Sequence, residues 1–187
     1  MGMKASVAKL ALIILPIAVS AMATTAQTAP PSDVIQRQDG MKAMANAAKT
    51  INAMFKDTSP YDAKAFKVAA ETILAHSGGT LSALFDGSAT TAGSKASASI
   101  GTDRRQFDKL ANDLGIYASA LSVAADRNPN TLGPETRMQG GGAMMGGPLA
   151  KKVDAAREVE TMPAEHAFHL MLQTCTSCHA KFRIEAK

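Results

Sequence analysis

Apolar residues recur at helical spacing in four stretches of this 187-residue chain, and this pattern is what most limits its fold. Steps of three and four residues place apolar side chains on one helix face over residues 33–56, 60–77, 102–127 and 164–186. The cleanest stripe consists of Phe107, Leu110, Leu114, Tyr117, Leu121 and Ala124. Aromatic residues are only 4% of the chain, and Ala, Met and Leu supply most of its apolar mass. Because these are strong helix formers, the sequence predicts an all-α protein, an antiparallel four-helix bundle.

Helix-breaking and capping residues mark the ends of these stretches. Ser59 is suited to be the N-cap of the second helix, with Pro60 as its first helical residue. The Gly78–Gly79 pair predicts the end of that helix, and Thr102 is placed to cap the third. The sequence therefore predicts four long helices joined by loops.

The first 23 residues have the features of a secretory signal peptide. Lys4 and Lys9 are followed by an apolar run over residues 10–19 and by the small-residue cleavage site at 21–23. That run is about half of the roughly 20 residues that a membrane span needs. We therefore expect cleavage after Ala23 and a mature bundle over residues 24–187. An uncleaved membrane anchor is the alternative.

The charge of the mature chain limits its partners. Removing Lys4 and Lys9 lowers the formal net charge from +4 to +2 and leaves no basic run. Nucleic-acid binding is therefore not expected, because it depends on concentrated positive charge. We expect an exported, soluble, periplasmic protein with no stable membrane insertion after cleavage.

Residues 128–162 differ from the rest of the chain. Glycines at 140–142 and 146–147 flank Met144 and Met145, and such a density of glycine disfavours a packed element. The sequence predicts a mobile surface loop over 128–148, with a protease-sensitive part over 138–148, followed by a short helix over 149–160.

Both cysteines of the chain lie in one short motif, Cys175-Thr-Ser-Cys178-His179. A C-x-x-C-H sequence is the attachment motif of c-type haem. On a helix, the i and i+3 positions put both thiols on one side, where they can form thioethers with the two vinyl groups of one haem. His179 lies one turn beyond Cys175, so its imidazole can reach the iron from the same side. The sequence therefore predicts one covalent haem c near the C-terminal helix.

Other interpretations of the two cysteines have to be weighed against haem attachment. A thiol redox centre usually lies at the start of a helix that follows a strand, whereas this pair lies late in a helix. A structural zinc site needs four ligands, and no second pair of candidate ligands is present. A disulfide between cysteines at this spacing within a helix would be strained.

The C-terminal position of the motif, followed by Ala180-Lys181-Phe182-Arg183, resembles the class II c-type cytochromes, the cytochrome c prime family. Weaker matches are Arg37-Gln38 in the first helix, Pro60-Tyr61-Asp62 opening the second, and Ala124-Ala125-Asp126 closing the third. The resemblance covers residues 33–127 and 164–186, and it implies that the glycine- and methionine-containing segment 128–162 is an insertion relative to the family. It implies a four-helix bundle with one haem, in which Arg37 and Arg183 lie beside the haem propionates and the proximal imidazole.

The resemblance also places Met41 over the distal face of the haem. A methionine ligand there would make the iron six-coordinate and low-spin, and we expect Met41 to be that ligand. Met44 is a second candidate, and Met144 and Met145 are weaker ones because a loop ligand must overcome its ordering entropy. Core packing is the alternative role of Met41, since methionine fills irregular apolar space.

The function expected from these assignments is electron transfer by a monohaem periplasmic cytochrome with His/Met ligation, without enzymatic activity. Its partners would be redox proteins and a second copy of the chain in a homodimer. The alternative is a five-coordinate, high-spin haem protein that binds nitric oxide or carbon monoxide. A haem enzyme is disfavoured because the first helix offers no acid–base residue over the haem. The histidines outside the motif, His76, His166 and His169, are expected at the surface or the haem periphery.

Overall fold

The computed structural model describes Gly2 and residues 32–86, 90–138 and 162–184. The helices in these ranges are α1 (Ser32–Phe55), α2 (Ala63–Ala75), α3 (Gly78–Ala83), α4 (Ser99–Thr102), α5 (Arg104–Arg127) and α6 (Ala164–Phe182). A 3-10 turn covers Pro134–Thr136. Apart from Gly2, the predicted signal peptide lies outside the described residues. So do residues 139–161, which include the glycine-rich part of the predicted loop and the short helix expected over 149–160.

The four long helices α1, α2, α5 and α6 form the predicted bundle, so the all-α fold class is confirmed. The closest helix packing is of α2 against α1 and α5, and of α5 against α6. Phe55 at the end of α1 lies 5.5 Å, between ring centroids, from Phe168 near the start of α6, so these two helices run antiparallel. None of the described helices is long and apolar enough to cross a bilayer.

The main core of the bundle is built from the predicted stripes. Ile51 and Phe66 are fully buried, and Leu121 of the third stripe is equally inaccessible. Phe55 packs edge-on against Phe66 with 5.5 Å between ring centroids. Because each stripe contributes to one shared cluster, the spacing of apolar residues alone is enough to predict which helix faces turn inward.

A smaller cluster closes the end of the bundle where α6 ends. Phe107 contacts Phe85 and Phe182 in edge-on geometry, with 4.9 and 5.4 Å between ring centroids. An isolated antiparallel bridge joins Ala96 to Arg183 beside this cluster. In it, the Ser97 N–H donates to the Phe182 carbonyl at 2.8 Å. The backbone just after α6 is therefore held against the loop before α4.

Two predicted helix ends are wrong. The second helix begins at Ala63 rather than Pro60, because Asp62 is its N-cap and accepts a hydrogen bond from the Ala65 N–H at 2.8 Å. It ends at Ala75, and Gly78 is the first residue of α3 rather than a helix stop. Gly78 has a φ of +58°, which a residue without a Cβ adopts at little cost.

The third long helix is interrupted near its start. Thr102 is the last residue of α4, and α5 begins at Arg104, so Thr102 does not cap the long helix as predicted. Asp103 stands between the two helices with a φ of −129° and a ψ of 50°, outside helical geometry. The predicted stripe is otherwise present over Arg104–Arg127.

Residues 128–138 pack on the bundle rather than forming the loose loop expected for that part of the chain. Leu132 is buried in the main core cluster. Arg137 donates to the Phe55 carbonyl and forms an ion pair with Asp57 at 2.9 Å. The Met138 N–H donates to the Glu165 carboxylate at 2.7 Å. These contacts could not be predicted from the local sequence, because they join residues that are far apart in the chain.

Candidate functional site

A cavity of about 440 Å³ lies between α1 and α6. Side chains of α2, α3 and α5 complete its wall: Ile73, Leu81, Leu110, Ala111 and Leu114. Pockets that hold organic ligands or cofactors have volumes of roughly 300–1,000 Å³ and mostly apolar linings. The cavity therefore has the size and character of a cofactor site rather than of a packing defect.

The α6 wall of this cavity carries all three residues of the C-x-x-C-H motif. Cys175, Cys178 and His179 line it together, as their spacing on a helix predicts. Both cysteines are half-buried and neither forms a disulfide. His179 is exposed where it borders the cavity. The motif thus presents two thiols and one imidazole toward a single apolar space.

The environment of the thiols argues against a thiol redox centre. Burial raises the pKa of Cys175, and burial together with the neighbouring Cys175 raises the pKa of Cys178 to about 11. A redox-active or metal-binding cysteine needs an accessible thiolate, and hence a lowered pKa. Within the described ranges, no group of three or more acidic, histidine or cysteine side chains is arranged to hold a metal ion.

Arg183 follows α6 directly and lies near the imidazole of the motif. Partial desolvation at the cavity, and then the positive charge of Arg183, lower the pKa of His179. A lowered pKa favours the neutral imidazole, which is the form that binds a metal. The expected position of Arg183 beside the imidazole agrees with this effect, although Arg183 is not among the residues that line the cavity.

The α1 wall faces the motif and is apolar along most of its length. Met41, Met44, Ala45 and Ala48 line it. Met41 is half-buried and packs against both core clusters. Its side chain therefore helps to join the two clusters, which is the packing role that methionine commonly has.

Arg37, expected at the haem propionates, has other contacts in the structure. Its side chain is 5% exposed, and its guanidinium lies 4.5 Å above the centroid of the Phe85 ring. It donates a hydrogen bond of 3.3 Å to the Leu84 carbonyl. Arg37 borders a small neighbouring cavity of about 10 Å³ but does not line the large one.

The histidines outside the motif lie away from the large cavity. His76 is half-buried rather than at the surface, because it ends α2 directly over Gly40 of α1. A Cβ on Gly40 would lie 3.1 Å from the His76 Nδ1 atom, so the glycine permits this approach. His166 and His169 are on α6 but do not line the cavity.

Two polar residues on the α1 side of the cavity were missed by the sequence analysis. Lys49 and Asn52 line its α1 side, at the end away from Met41. Their i, i+3 spacing, one turn beyond the apolar positions of α1, is the signal that could have identified them. In a sequence it resembles the ordinary polar edge of an amphipathic helix.

The comparisons identify one family. A family model described as cytochrome C′ matches residues 32–142. The fold is similar to that of cytochrome c′ from Thermochromatium tepidum, with 23% identity over 84% of this chain and 98% of that chain, at a TM-score of 0.59. No curated protein gives a significant match.

Two further solved structures show the same fold. One is a cytochrome c prime variant from Alcaligenes xylosoxidans in its nitric oxide complex, with 21% identity over 85% of this chain and all of that chain, at a TM-score of 0.56. The other is a cytochrome c′ described as having an unusual ligand-controlled dimer dissociation. It has 20% identity over 86% of this chain and all of that one, at a TM-score of 0.59.

The prediction of an electron carrier with Met41 as sixth ligand is wrong. The matched family is typically five-coordinate, high-spin and gas-binding. Its typical coordination leaves no role for a methionine ligand, and in this structure Met41 has a packing role between two clusters. The redox partner proteins expected for an electron carrier have no support in the comparisons.

Members of the matched family bind one covalent c-type haem, and the cavity fits this cofactor. It offers two free thiols at the spacing of a C-x-x-C-H motif, an adjacent imidazole and a mainly apolar space for the ring. The family consists of haem proteins rather than classical enzymes. Because the family model covers more than half of the sequence, the chain belongs to the cytochrome c′ family.

Proposed function

We propose that this protein carries one haem, linked to Cys175 and Cys178 with His179 as its axial ligand, and that it binds nitric oxide or carbon monoxide. The observation that supports this most directly is the division of the cavity between two unlike walls. The α6 wall holds the thiols and the imidazole, whereas the α1 wall near Met41 is apolar. This arrangement provides for attachment on one side only.

The residues of α6 fix the position of the cofactor. Cys175 and Cys178, one helical turn apart, would hold the ring to the helix through two thioethers, and His179 on the same side would hold the iron. The haem would supply an iron able to bind a small neutral gas. Arg183 lies near His179, and its charge favours the neutral imidazole.

The part of the α1 wall near Met41 acts by excluding polar groups. Met41, Met44, Ala45 and Ala48 place no strong hydrogen-bond donor or acid–base group on that part of the wall. An apolar wall disfavours water and charged ligands, because these lose hydration when buried. It therefore selects for small neutral molecules, and it gives no support for catalysis that would require proton transfer.

Export and dimer formation are further parts of the proposal. The leader over residues 1–23 supports export to the periplasm, which is typical of the family. A solved cytochrome c′ of the same fold is described as a dimer with ligand-controlled dissociation, which supports a homodimer here. Sedimentation of the ferrous protein with and without carbon monoxide would test the dimer and its response to ligand.

The function is tested on the protein expressed with haem attachment and purified from the periplasm. The mass of the denatured protein should include one haem, and the Cys175→Ser/Cys178→Ser variant should lack it. The ferric spectrum should be high-spin, and ferrous protein titrated with carbon monoxide should change its spectrum with saturation at one ligand per chain. A denatured protein that releases all its haem, or a ferrous protein that does not respond to the gas, would refute the proposal.

A further inference from the structure

Residues 95–99, which lead into α4 and include its first residue, are hydrogen-bonded to the chain where α6 ends. We call them the clamp segment. The Ser97 N–H donates to the Phe182 carbonyl at 2.8 Å, and the Ile184 N–H donates to the Lys95 carbonyl at 2.8 Å. Because these bonds run in both directions, as in an antiparallel ladder, they fix the path of the chain as it leaves α6.

Side chains of the clamp segment reinforce this short ladder. The Ser99 hydroxyl donates to the Lys181 carbonyl at 3.0 Å. Ala96 is buried in the same apolar cluster as Phe182. The last carbonyls of an α-helix have no partner within the helix, and those of Lys181 and Phe182 find theirs in the clamp segment. The end of α6 is therefore held by a distant part of the chain.

The bridge between Ala96 and Arg183 holds Arg183 next to the haem-attachment motif. Arg183 has extended backbone, with a φ of −112° and a ψ of 136°, and its N–H donates to the His179 carbonyl at 3.1 Å. Its side chain is exposed, so the position of its charge depends on the backbone more than on side-chain packing. Desolvation, and then this charge, lower the pKa of His179, so the guanidinium is within electrostatic reach of the imidazole.

We propose that the clamp segment positions Arg183 beside the His179 imidazole, and that it thereby controls how strongly this imidazole binds the iron. The inference rests on the proposed function, since it requires His179 as an axial ligand. It makes Ser97 and Ser99 positioning residues. Neither of them lines the cavity, so they act on the imidazole only through the chain that follows α6.

The proposal has a consequence for the bond between the iron and His179. A metal-bound imidazole is a stronger donor when its second ring nitrogen has a hydrogen-bond acceptor, and a nearby cation has the opposite effect. The charge of Arg183 should therefore keep this bond weak. Opening the clamp segment would let Arg183 move away, and the bond should then become stronger.

The test compares haem-loaded proteins, each checked by mass for one covalent haem. Ser97→Pro removes the N–H that donates to Phe182, and Ser99→Ala removes the hydroxyl that donates to Lys181. Thr102→Val is the matched control, because the Thr102 hydroxyl donates within α4, to the Ser99 carbonyl at 3.2 Å. It removes a similar bond from the same short helix without touching α6.

Two measurements are made on each ferrous protein. Hydrogen exchange at the Ile184 amide reports opening of the clamp segment, and resonance Raman spectroscopy gives the iron–histidine stretching frequency. We expect Ser97→Pro to accelerate exchange at Ile184 and to raise the frequency. Ser99→Ala should have smaller effects in the same directions, and Thr102→Val should have none. Adding Ser97→Pro to an Arg183→Gln protein should raise the frequency no further, because the effect acts through Arg183.

Each contrary result has a defined meaning. Faster exchange at Ile184 with an unchanged or lowered frequency overturns the proposal, because the open clamp segment would then not strengthen the bond. Unchanged exchange in Ser97→Pro, or an equal rise in frequency in the Arg183→Gln protein, overturns it as well. If Ser97→Pro does not fold, Ser99→Ala decides, and a frequency equal to that of Thr102→Val overturns the proposal. A wild type without covalent haem, or without an iron–histidine band, would instead refute the proposed function itself.

Discussion

Met41 shows how a single residue type can serve two purposes at the same position. Its sulfur is a haem ligand in principle, and its flexible side chain is also a good filler of irregular apolar space. The sequence places it on the apolar stripe of α1, which fits both roles. In the structure it packs against two clusters, and the family typically leaves the iron five-coordinate.

The substitution Met41→Leu distinguishes packing from ligation, because leucine keeps the volume and the apolar character but removes the sulfur. We expect the ferric spectrum of the wild type to be high-spin and that of Met41→Leu to be the same. Stability should change by less than about 1.5 kcal/mol, as is usual for volume-conserving core substitutions. Absorption spectroscopy and urea unfolding provide the two measurements.

Met44→Leu is the control for that substitution, since Met44 lines the same wall. A wild-type spectrum that is low-spin, and that becomes high-spin in Met41→Leu but not in Met44→Leu, would contradict the packing interpretation.

The sequence of α5 does not show that Gly115 is needed for close packing, because its neighbour Ser77 lies outside that helix. A Cβ at this position of α5 would lie 2.8 Å from the Oγ atom of Ser77, and Ser77 is itself buried. Overpacking costs about 1–3 kcal/mol, against the roughly 1 kcal/mol that alanine gains over glycine within a helix. We therefore expect Gly115→Ala to destabilise the protein, as measured by its denaturant midpoint.

Gly101→Ala is the comparison for that variant. No atom lies within 4 Å of a Cβ built on Gly101, so alanine there should be neutral or stabilising by about 0.5 kcal/mol. Equal midpoints for the two variants would show that the contact between α5 and Ser77 gives way without cost.

At the level of the elements, the positions of the long helices follow from the sequence but several of their ends do not. The apolar stripes of α1, α5 and α6 depend on burial of one face, which the 3.6-residue period reports directly. Helix ends depend on which of several nearby capping residues the chain uses. At α2 the sequence predicts Ser59 as the cap, whereas in the folded chain Asp62 accepts from Ala65.

The choice of cap at α2 is open to a direct test. Asp62→Ala should cost about 1 kcal/mol, because it leaves an N–H of the first turn without its side-chain acceptor. Ser59→Ala should cost only a few tenths of a kcal/mol, as is usual for a surface change away from such features. Thermal unfolding of both variants provides the measurement, and a larger loss for Ser59→Ala would restore the helix start predicted from the sequence.

For the whole molecule, only part of the candidate site could be predicted from the sequence. The motif on α6 identifies two thiols and one imidazole, because its residues are close in the chain. The opposite wall comes from α1, and its identity depends on which helix faces α6 in the bundle. The place of Lys49 at the cavity and the contacts of Arg37 with Phe85 and Leu84 could not be predicted for the same reason, since they depend on how the helices pack.

One ion pair links distant parts of the molecule and gives a pH dependence. Lys181 near the end of α6 donates to the carboxylate of Asp103 before α5, and this bond holds the pKa of Asp103 below its ordinary value of 3.8. A lowered folded-state pKa contributes stability above the ordinary pKa, and the contribution is lost as the pH falls through the lowered value. The stability difference between wild type and Asp103→Asn should therefore be present at pH 7 and shrink below about pH 4.

Urea unfolding at a series of pH values tests this pair, with Asp39→Asn as the control for loss of an exposed carboxylate within a single helix. A difference between wild type and Asp103→Asn that stays constant down to pH 3 would show that the carboxylate charge has no part in joining α5 to α6.

The cavity between α1 and α6 has a consequence for how the bundle assembles. Its two walls come from the first and last long helices, which meet directly at Phe55 and Phe168. Closing such a long loop of chain is costly in entropy and comes late in folding. A rigid ring attached to α6 would pack against α1 once that helix closes over it, and would so hold the first and last long helices together. We therefore expect the holoprotein to unfold far more slowly than a protein without haem.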